Sequence, residues 1–296
     1  MATPLAFICP VLGALSTATT SIQQEIAKFR ADRGIGALKS KAATGNALGA
    51  ALQFGMFNAF GGAEFARVKG RMDAKKAKKR GPPLSDFHDP GALLFPGLLT
   101  QPFHEPSDDS RIADAAALLE HFYPVIRDEA MALSKEKQLP QYRDHDDTLL
   151  HDGDGDWRVH YLELEGKDTS AAREQTPKTA AIVDAINRRS SHSFLSVLEP
   201  GTHILPHCGP SNYRLRLQLG LQVPEGCSIR VGDQTRSWEE GKVLCLDDAF
   251  EHEVWNTSDE RRVILIVDIF HPDFSDKEVE WMEETRRARF AKMARG

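Results

Sequence analysis

From Phe194 onward the chain breaks into short runs that are β-branched or alternate apolar with polar residues, each closed by turn-forming residues: Phe194–Leu198, Tyr213–Val223, Ser228–Val231, Lys242–Leu246, Glu251–Trp255 and Arg262–Ile269. Such runs are too short for core helices and too numerous for a single hairpin, so they predict a closed sandwich or barrel. Upstream, Ser110–Leu133 places Ile112, Ala115, Ala116, Leu119, Phe122, Tyr123 and Ile126 at helical spacing, with Pro124 implying a break or kink. Asp276–Arg295 is charged and predicts a terminal helix docked through Trp281 and Met282. The fold class expected is mainly β with flanking helices.

The chain has 296 residues, 41% of them hydrophobic. That suffices for one cored domain, placed at 91–296, behind an N-terminal extension at 1–90 that is partly helical or mobile. The formal net charge of −6 gives no whole-chain attraction for nucleic acid, and no nucleic-acid partner is expected. Eight basic residues between Arg67 and Arg80, stopped by Gly81-Pro82-Pro83, read as a solvated linker helix; the sharper alternative is a nuclear-import, nucleic-acid or acidic-lipid patch. The Gly- and Ala-rich stretch Gly34–Gly62 supports no firm assignment. Four cysteines without CxxC spacing exclude a zinc ribbon and point to a reducing compartment. A cytoplasmic protein is expected, with secretory or membrane-surface association as the alternative. The apolar stretch Leu5–Leu15 lacks a preceding Lys or Arg and is interrupted by Pro10. No GxGxxG, P-loop or GxSxG motif is present, which removes the common nucleotide and serine-hydrolase readings.

Two segments concentrate chemistry: Pro200–Arg216, containing His203 and His207, and Asp247–Arg262, containing His252. A redox metal that must admit a keto acid and dioxygen needs few protein ligands and several open positions, and imidazole suits iron(II). The usual facial triad adds a carboxylate two residues after the first histidine, where this chain has Gly209. Arg262 follows His252 by ten residues; in a hairpin it lies near the metal, where its fork can pair with the distal carboxylate of a dicarboxylic keto acid. Strand alternation sends Arg261 to the opposite face and turns Cys208 away from the metal, while His203 shares a face with His207 as a hydrogen-bonded support. Arg214 and Arg216 share a face, and either can meet a carboxylate. Asp247 and Asp248 are expected to shape the entry to the second histidine strand, and His271 to cap a strand end or contact a helix.

The motifs PGTHxxPHxGPxNxRLRxxLGL, WEEGKV, DDxFEHEVW and VDxxHP, together with upstream matches from about Leu94, resemble the aspartyl/asparaginyl β-hydroxylase family. The resemblance implies a double-stranded β-helix (jelly-roll, cupin-like) core and an Fe(II)- and 2-oxoglutarate-dependent oxygenase whose iron is held by two histidines without a carboxylate. Carried over, His207 and His252 are the metal ligands, Ser196 and Arg262 hold the distal carboxylate of 2-oxoglutarate, Arg216 lies near its chelating end, and Trp157 is a pocket tryptophan. Where the family often has a histidine, this chain has Gln218, which can donate a hydrogen bond but carries no charge. The expected reaction is hydroxylation of an unactivated C–H bond in an aspartyl or asparaginyl side chain, a peptide or a small biosynthetic intermediate, with molecular oxygen as co-substrate. The 34-residue helical repeats that present protein substrates are not apparent in the extension. Alternatives are halogenation, with chloride in the space left by Gly209; desaturation or rearrangement; zinc hydrolysis; and a non-catalytic binding protein of the same fold.

Overall fold

A computed structural model describes residues 10–35, 86–89, 92–136, 139–142, 149 and 155–293. The basic run Arg67–Arg80, nearly all of Gly34–Gly62 and the start of Leu5–Leu15 lie outside them.

Among the described residues, ten strands form two antiparallel sheets. They are β1 (Phe103–His104), β2 (Trp157–Leu164), β3 (Arg189–Leu198), β4 (His203–His207), β5 (Arg214–Gln222), β6 (Cys227–Val231), β7 (Gln234–Arg236), β8 (Val243–Leu246), β9 (His252–Asn256) and β10 (Arg262–Phe270). The six-stranded sheet runs β1-β8-β5-β10-β3-β2 and the four-stranded sheet β4-β9-β6-β7. From β3 to β10 the chain passes repeatedly from one sheet to the other, only β6 and β7 being consecutive in the same sheet. This is the double-stranded β-helix. All six expected strands are present within a few residues. The edge strands β1, β4 and β7 are too short to produce a periodic signal, and β2 lies upstream of the region where the pattern changes.

The large sheet is buried on both faces. On β3, β5 and β10 the odd-numbered Leu195, Val197, Leu215, Leu217, Leu219, Leu221, Val263, Leu265 and Val267 join one apolar cluster, whereas Phe194, Leu198, Ile264 and Ile266 join the cluster between the sheets. Covering the first face are α1 (Pro10–Asp32), α2 (Ser110–His121), α3 (Tyr123–Glu136) and α5 (Pro177–Asp184), while α4 (Ser170–Arg173) is a single turn. The predicted break falls at Phe122, between α2 and α3. Pro124 then occupies the first turn of α3, where its missing N–H goes unused. Asp109 caps α2 by accepting the Arg111 N–H at 2.7 Å. From the N-terminal extension, α1 contributes Ile22 and Ile26 to the same cluster, and Arg30 donates to the Ala185 carbonyl. The terminal helix α6 (Asp276–Met293) docks Val279, Trp281 and Met282 against Phe95, Leu98, Phe270 and Phe274.

Candidate active site

His207 closes β4 and His252 opens β9, and the two are cross-strand partners with ring centroids 4.1 Å apart. Each Nδ1 faces a backbone carbonyl two residues earlier: His207 that of Leu205 at 2.8 Å, His252 that of Phe250 at 2.9 Å. Donating to a carbonyl fixes the tautomer with N–H on Nδ1 and the lone pair on Nε2. Burial, then His207 and the Arg216 cation, push the His252 pKa down to about 3, so this imidazole is neutral at physiological pH. Two imidazoles whose Nδ1 atoms face carbonyls and whose Nε2 atoms are left for coordination suit a divalent metal, and no third His, Cys, Asp or Glu completes a three-ligand cluster among the described residues.

The position of a triad carboxylate is closed. A Cβ on Gly209 would lie 2.7 Å from Cγ and 2.8 Å from the carbonyl oxygen of Asp248, and the Gly209 N–H donates to that carbonyl at 2.6 Å. Glycine here permits the close approach of the Asp248 segment.

Asp248 belongs to a buried four-member ion cluster rather than merely shaping the strand entry. Arg214 meets Asp248 at 3.0 Å and Asp268 at 3.2 Å; Arg216 grips Asp268 through Nε at 2.8 Å and Nη2 at 3.0 Å and reaches Asp248 at 3.2 Å. Burial by itself would raise both carboxyl pKa values, but the two guanidiniums hold both below the ordinary range, so the cluster carries two cations and two anions. Arg214 and Arg216 therefore share one role in the fold, and it is the Arg216 charge that reaches His252. His192 adds its Nδ1 to Asp268 at 3.3 Å, and its ring neighbours Tyr161 and Phe194.

Arg262 is 2% exposed, and among the described residues it has no ion pair and a single hydrogen-bond acceptor, Ser196 Oγ, at 2.9 Å from Nη2. Its Nε is buried without a partner. Burial lowers its pKa to about 10, which leaves it charged at neutral pH. Trp157 also donates to Ser196 Oγ, at 3.0 Å, and stacks on Tyr142 at 3.7 Å. Trp238 lies under the Arg262 guanidinium at 4.7 Å and donates Nε1–H to Gln218 Oε1 at 2.7 Å. Ser196, Arg262, Trp157 and Gln218 thus gather in one side-chain cluster, and Trp238 and Tyr142 belong to it as well. Trp238 stands in the link between β7 and β8 and Tyr142 in a loop, where no periodicity could place them.

Several placements differ from expectation. His203 does not share a face with His207, because the β4–β9 register shifts between Ile204 and His207. This bulge turns His203 outward, to Glu253 at 3.1 Å and a stack on Trp255. The β9–β10 connection is a corner between the sheets and not a hairpin. Arg261 does face away, toward the Ser134 carbonyl and Glu199. Cys208 Sγ donates to the Phe87 carbonyl at 3.7 Å, and His271 follows the end of β10 beside the Leu99 carbonyl at 3.1 Å.

A family model described as aspartyl/asparaginyl beta-hydroxylase matches residues 120–272. The aspartyl/asparaginyl beta-hydroxylase of Mus musculus is 39% identical over 188 residues, which cover 62% of this chain and 25% of that protein. The ornithine lipid ester-linked acyl 2-hydroxylase of Rhizobium tropici is 39% identical over 172 residues, covering 56% of this chain and 61% of that protein. The match thus spans a quarter of the mouse protein's length and about three-fifths of the bacterial one. A solved oxidoreductase of the 2OG-Fe(II) oxygenase family from Burkholderia pseudomallei aligns at a TM-score of 0.34 and 16% identity, covering 56% of this chain and 92% of that one. At that score the fold assignment rests on the strand order.

Proposed function

Because the chain belongs to the aspartyl/asparaginyl β-hydroxylase family, we propose that it is an Fe(II)- and 2-oxoglutarate-dependent oxygenase that hydroxylates an unactivated C–H bond. The observation that carries this reading is Arg262, a buried cation that the described residues leave without an anion. Burying an isolated charge is costly, and a ligand carboxylate in the guanidinium fork, shared with Ser196, removes the cost.

His207 and His252 would hold the iron through Nε2, their rings oriented by the carbonyls of Leu205 and Phe250. When bound, iron and 2-oxoglutarate supply the chemistry, coupling oxidation of a C–H bond by dioxygen to decarboxylation of the keto acid to succinate. The chain's own part is to position and to shield. Arg262 and Ser196 bind one carboxylate of 2-oxoglutarate. Trp157, Trp238 and Ile266 exclude water from that pocket, and the carboxylates around Arg216 hold its fork in one orientation beside His252. The halogenase alternative needs an open space for chloride beside Gly209, but the Asp248 side chain lies there and carries the same sign of charge.

For the substrate, the names of two relatives share a chemical feature. Aspartyl β-hydroxylation and acyl 2-hydroxylation both act on a methylene next to a carbonyl carbon. We propose the same for this chain: an aspartyl or asparaginyl side chain, a peptide or a small biosynthetic intermediate bearing such a methylene.

The test is anaerobic addition of Fe(II) and 2-oxoglutarate to the purified protein, watched for the visible band of the iron–keto-acid chelate. The band is expected in wild type and absent in His252→Ala. Its absence from well-folded wild type would favour the binding-protein reading.

A further inference from the structure

Two acceptors beside Arg262, Ser196 Oγ and Gln218 Oε1, are each occupied from behind by an indole. Ser196 Oγ accepts from both Trp157 Nε1 and Arg262 Nη2, at 3.0 and 2.9 Å, so its own hydroxyl hydrogen is left to point elsewhere. Gln218 Oε1 accepts from Trp238 Nε1 at 2.7 Å. An indole N–H can only donate, so this bond settles which end of the Gln218 amide faces Trp238 and leaves its NH2 end turned the other way. Among the described residues nothing accepts from that NH2 group, and nothing accepts from Arg262 Nε. What Ser196, Gln218 and Arg262 have left for a ligand is a hydroxyl hydrogen, an amide NH2 and guanidinium N–H groups, all of them donors.

We infer that Trp238 is a positioning residue for the co-substrate. By binding the carbonyl end of Gln218 and backing the face of Arg262 at 4.7 Å, it makes Gln218 and Arg262 present donors together, a pairing that selects a carboxylate. This rests on the 2-oxoglutarate reading above and deepens it. An unrestrained glutamine amide presents its oxygen or its nitrogen with similar ease, and an oxygen turned toward a bound carboxylate repels it. Trp238 removes that choice, so an uncharged side chain supplies a directed donor where a cation would otherwise be required. The ring face also stabilises the guanidinium without neutralising it, as a carboxylate would, so the full charge remains available to the ligand.

The hydrogen bond from Trp238 to Gln218 can be removed from either side while the ring beneath Arg262 stays. Trp238→Phe keeps a ring beneath Arg262 and loses the N–H; Gln218→Met keeps the volume and loses the amide. Binding of 2-oxoglutarate to the Zn(II)-loaded full chain, measured by calorimetry under matched conditions, reads both, with melting temperatures confirming that each variant is folded. Each single variant is expected to weaken binding about tenfold, as loss of one hydrogen bond to a charged group does. The double variant is expected to be no weaker than Gln218→Met alone, because Trp238 acts through that amide. Additive losses, or unchanged binding in folded Trp238→Phe beside a wild type that does bind, overturn the inference and leave the co-substrate reading standing. No binding of 2-oxoglutarate by folded, Zn(II)-loaded wild type overturns both.

Discussion

Replacing Arg262 by methionine separates service to a ligand from service to the fold. The guanidinium is buried with Ser196 as its one acceptor and no counter-charge among the described residues, so in the ligand-free protein it is a burden that an apolar side chain of similar length relieves. Arg262→Met is expected to melt at the wild-type temperature or above it without ligand, and to lose roughly 30-fold or more in 2-oxoglutarate affinity. Thermal melts of the unliganded proteins and calorimetric titrations check the two halves. A clear drop in the unliganded melting temperature would mean that Arg262 holds the fold together. The sequence singled out this residue by its spacing to His252 in a hairpin that the fold does not form, and its isolation was not readable at all. Asp268 sits six positions along the same strand, and only the pairing of β10 with β5 shows that it is committed to Arg214 and Arg216 instead.

At the scale of elements, the bulge in β4 decides which histidine faces His252. Simple alternation puts His203 and His207 on one side, and the register shift after Ile204 puts them on opposite sides. His203→Ala is therefore expected to leave metal affinity within about twofold of wild type and to lower stability by no more than about 1 kcal/mol, the scale of a partly buried hydrogen bond such as that with Glu253. Metal titration and urea unfolding of this variant, beside His207→Ala, check it; a loss of metal affinity matching that of His207→Ala would place His203 in the metal site. Bulges are invisible to periodicity, since one extra residue in a short strand resembles a strand of the other phase. The corner between β9 and β10 was misread for a related reason: turn residues between two strands look alike whether the second strand pairs with the first or crosses to the facing sheet.

Across the whole molecule, burial of ionisable groups shapes the response to pH. Asp247 is 1% exposed, and burial, opposed by a bond from the Ala249 N–H and reinforced by Asp248, raises its pKa from 3.8 to about 8. Between those values the folded chain keeps a proton that the unfolded chain has released, so Asp247 makes stability fall as pH rises from about 4 to 8. His252 acts in the opposite sense, its depressed pKa weakening the fold as pH drops from 6.5 toward about 3. Asp247→Asn keeps an oxygen for Ala249 and removes only the carboxyl titration. Its urea midpoint is expected to equal wild type near pH 4 and to exceed it near pH 8, with the His252 contribution cancelling in the difference. Equal midpoints at both values would show that Asp247 is charged in the fold. What the sequence by itself determined is the set of chemical groups and the local chain geometry. Two histidines in specific surroundings, a glycine where a carboxylate usually stands, alternating runs that must bury two faces, and a helix interrupted near a proline all follow from residue type and spacing within a few positions. The tertiary structure alone decided which groups meet. The Arg214–Asp248–Arg216–Asp268 cluster, the two indoles behind Ser196 and Gln218, the outward turn of His203 and the docking of α1 on the β-helix core join residues far apart in the chain. Such meetings depend on strand register and sheet crossover, which hydrophobic period does not encode.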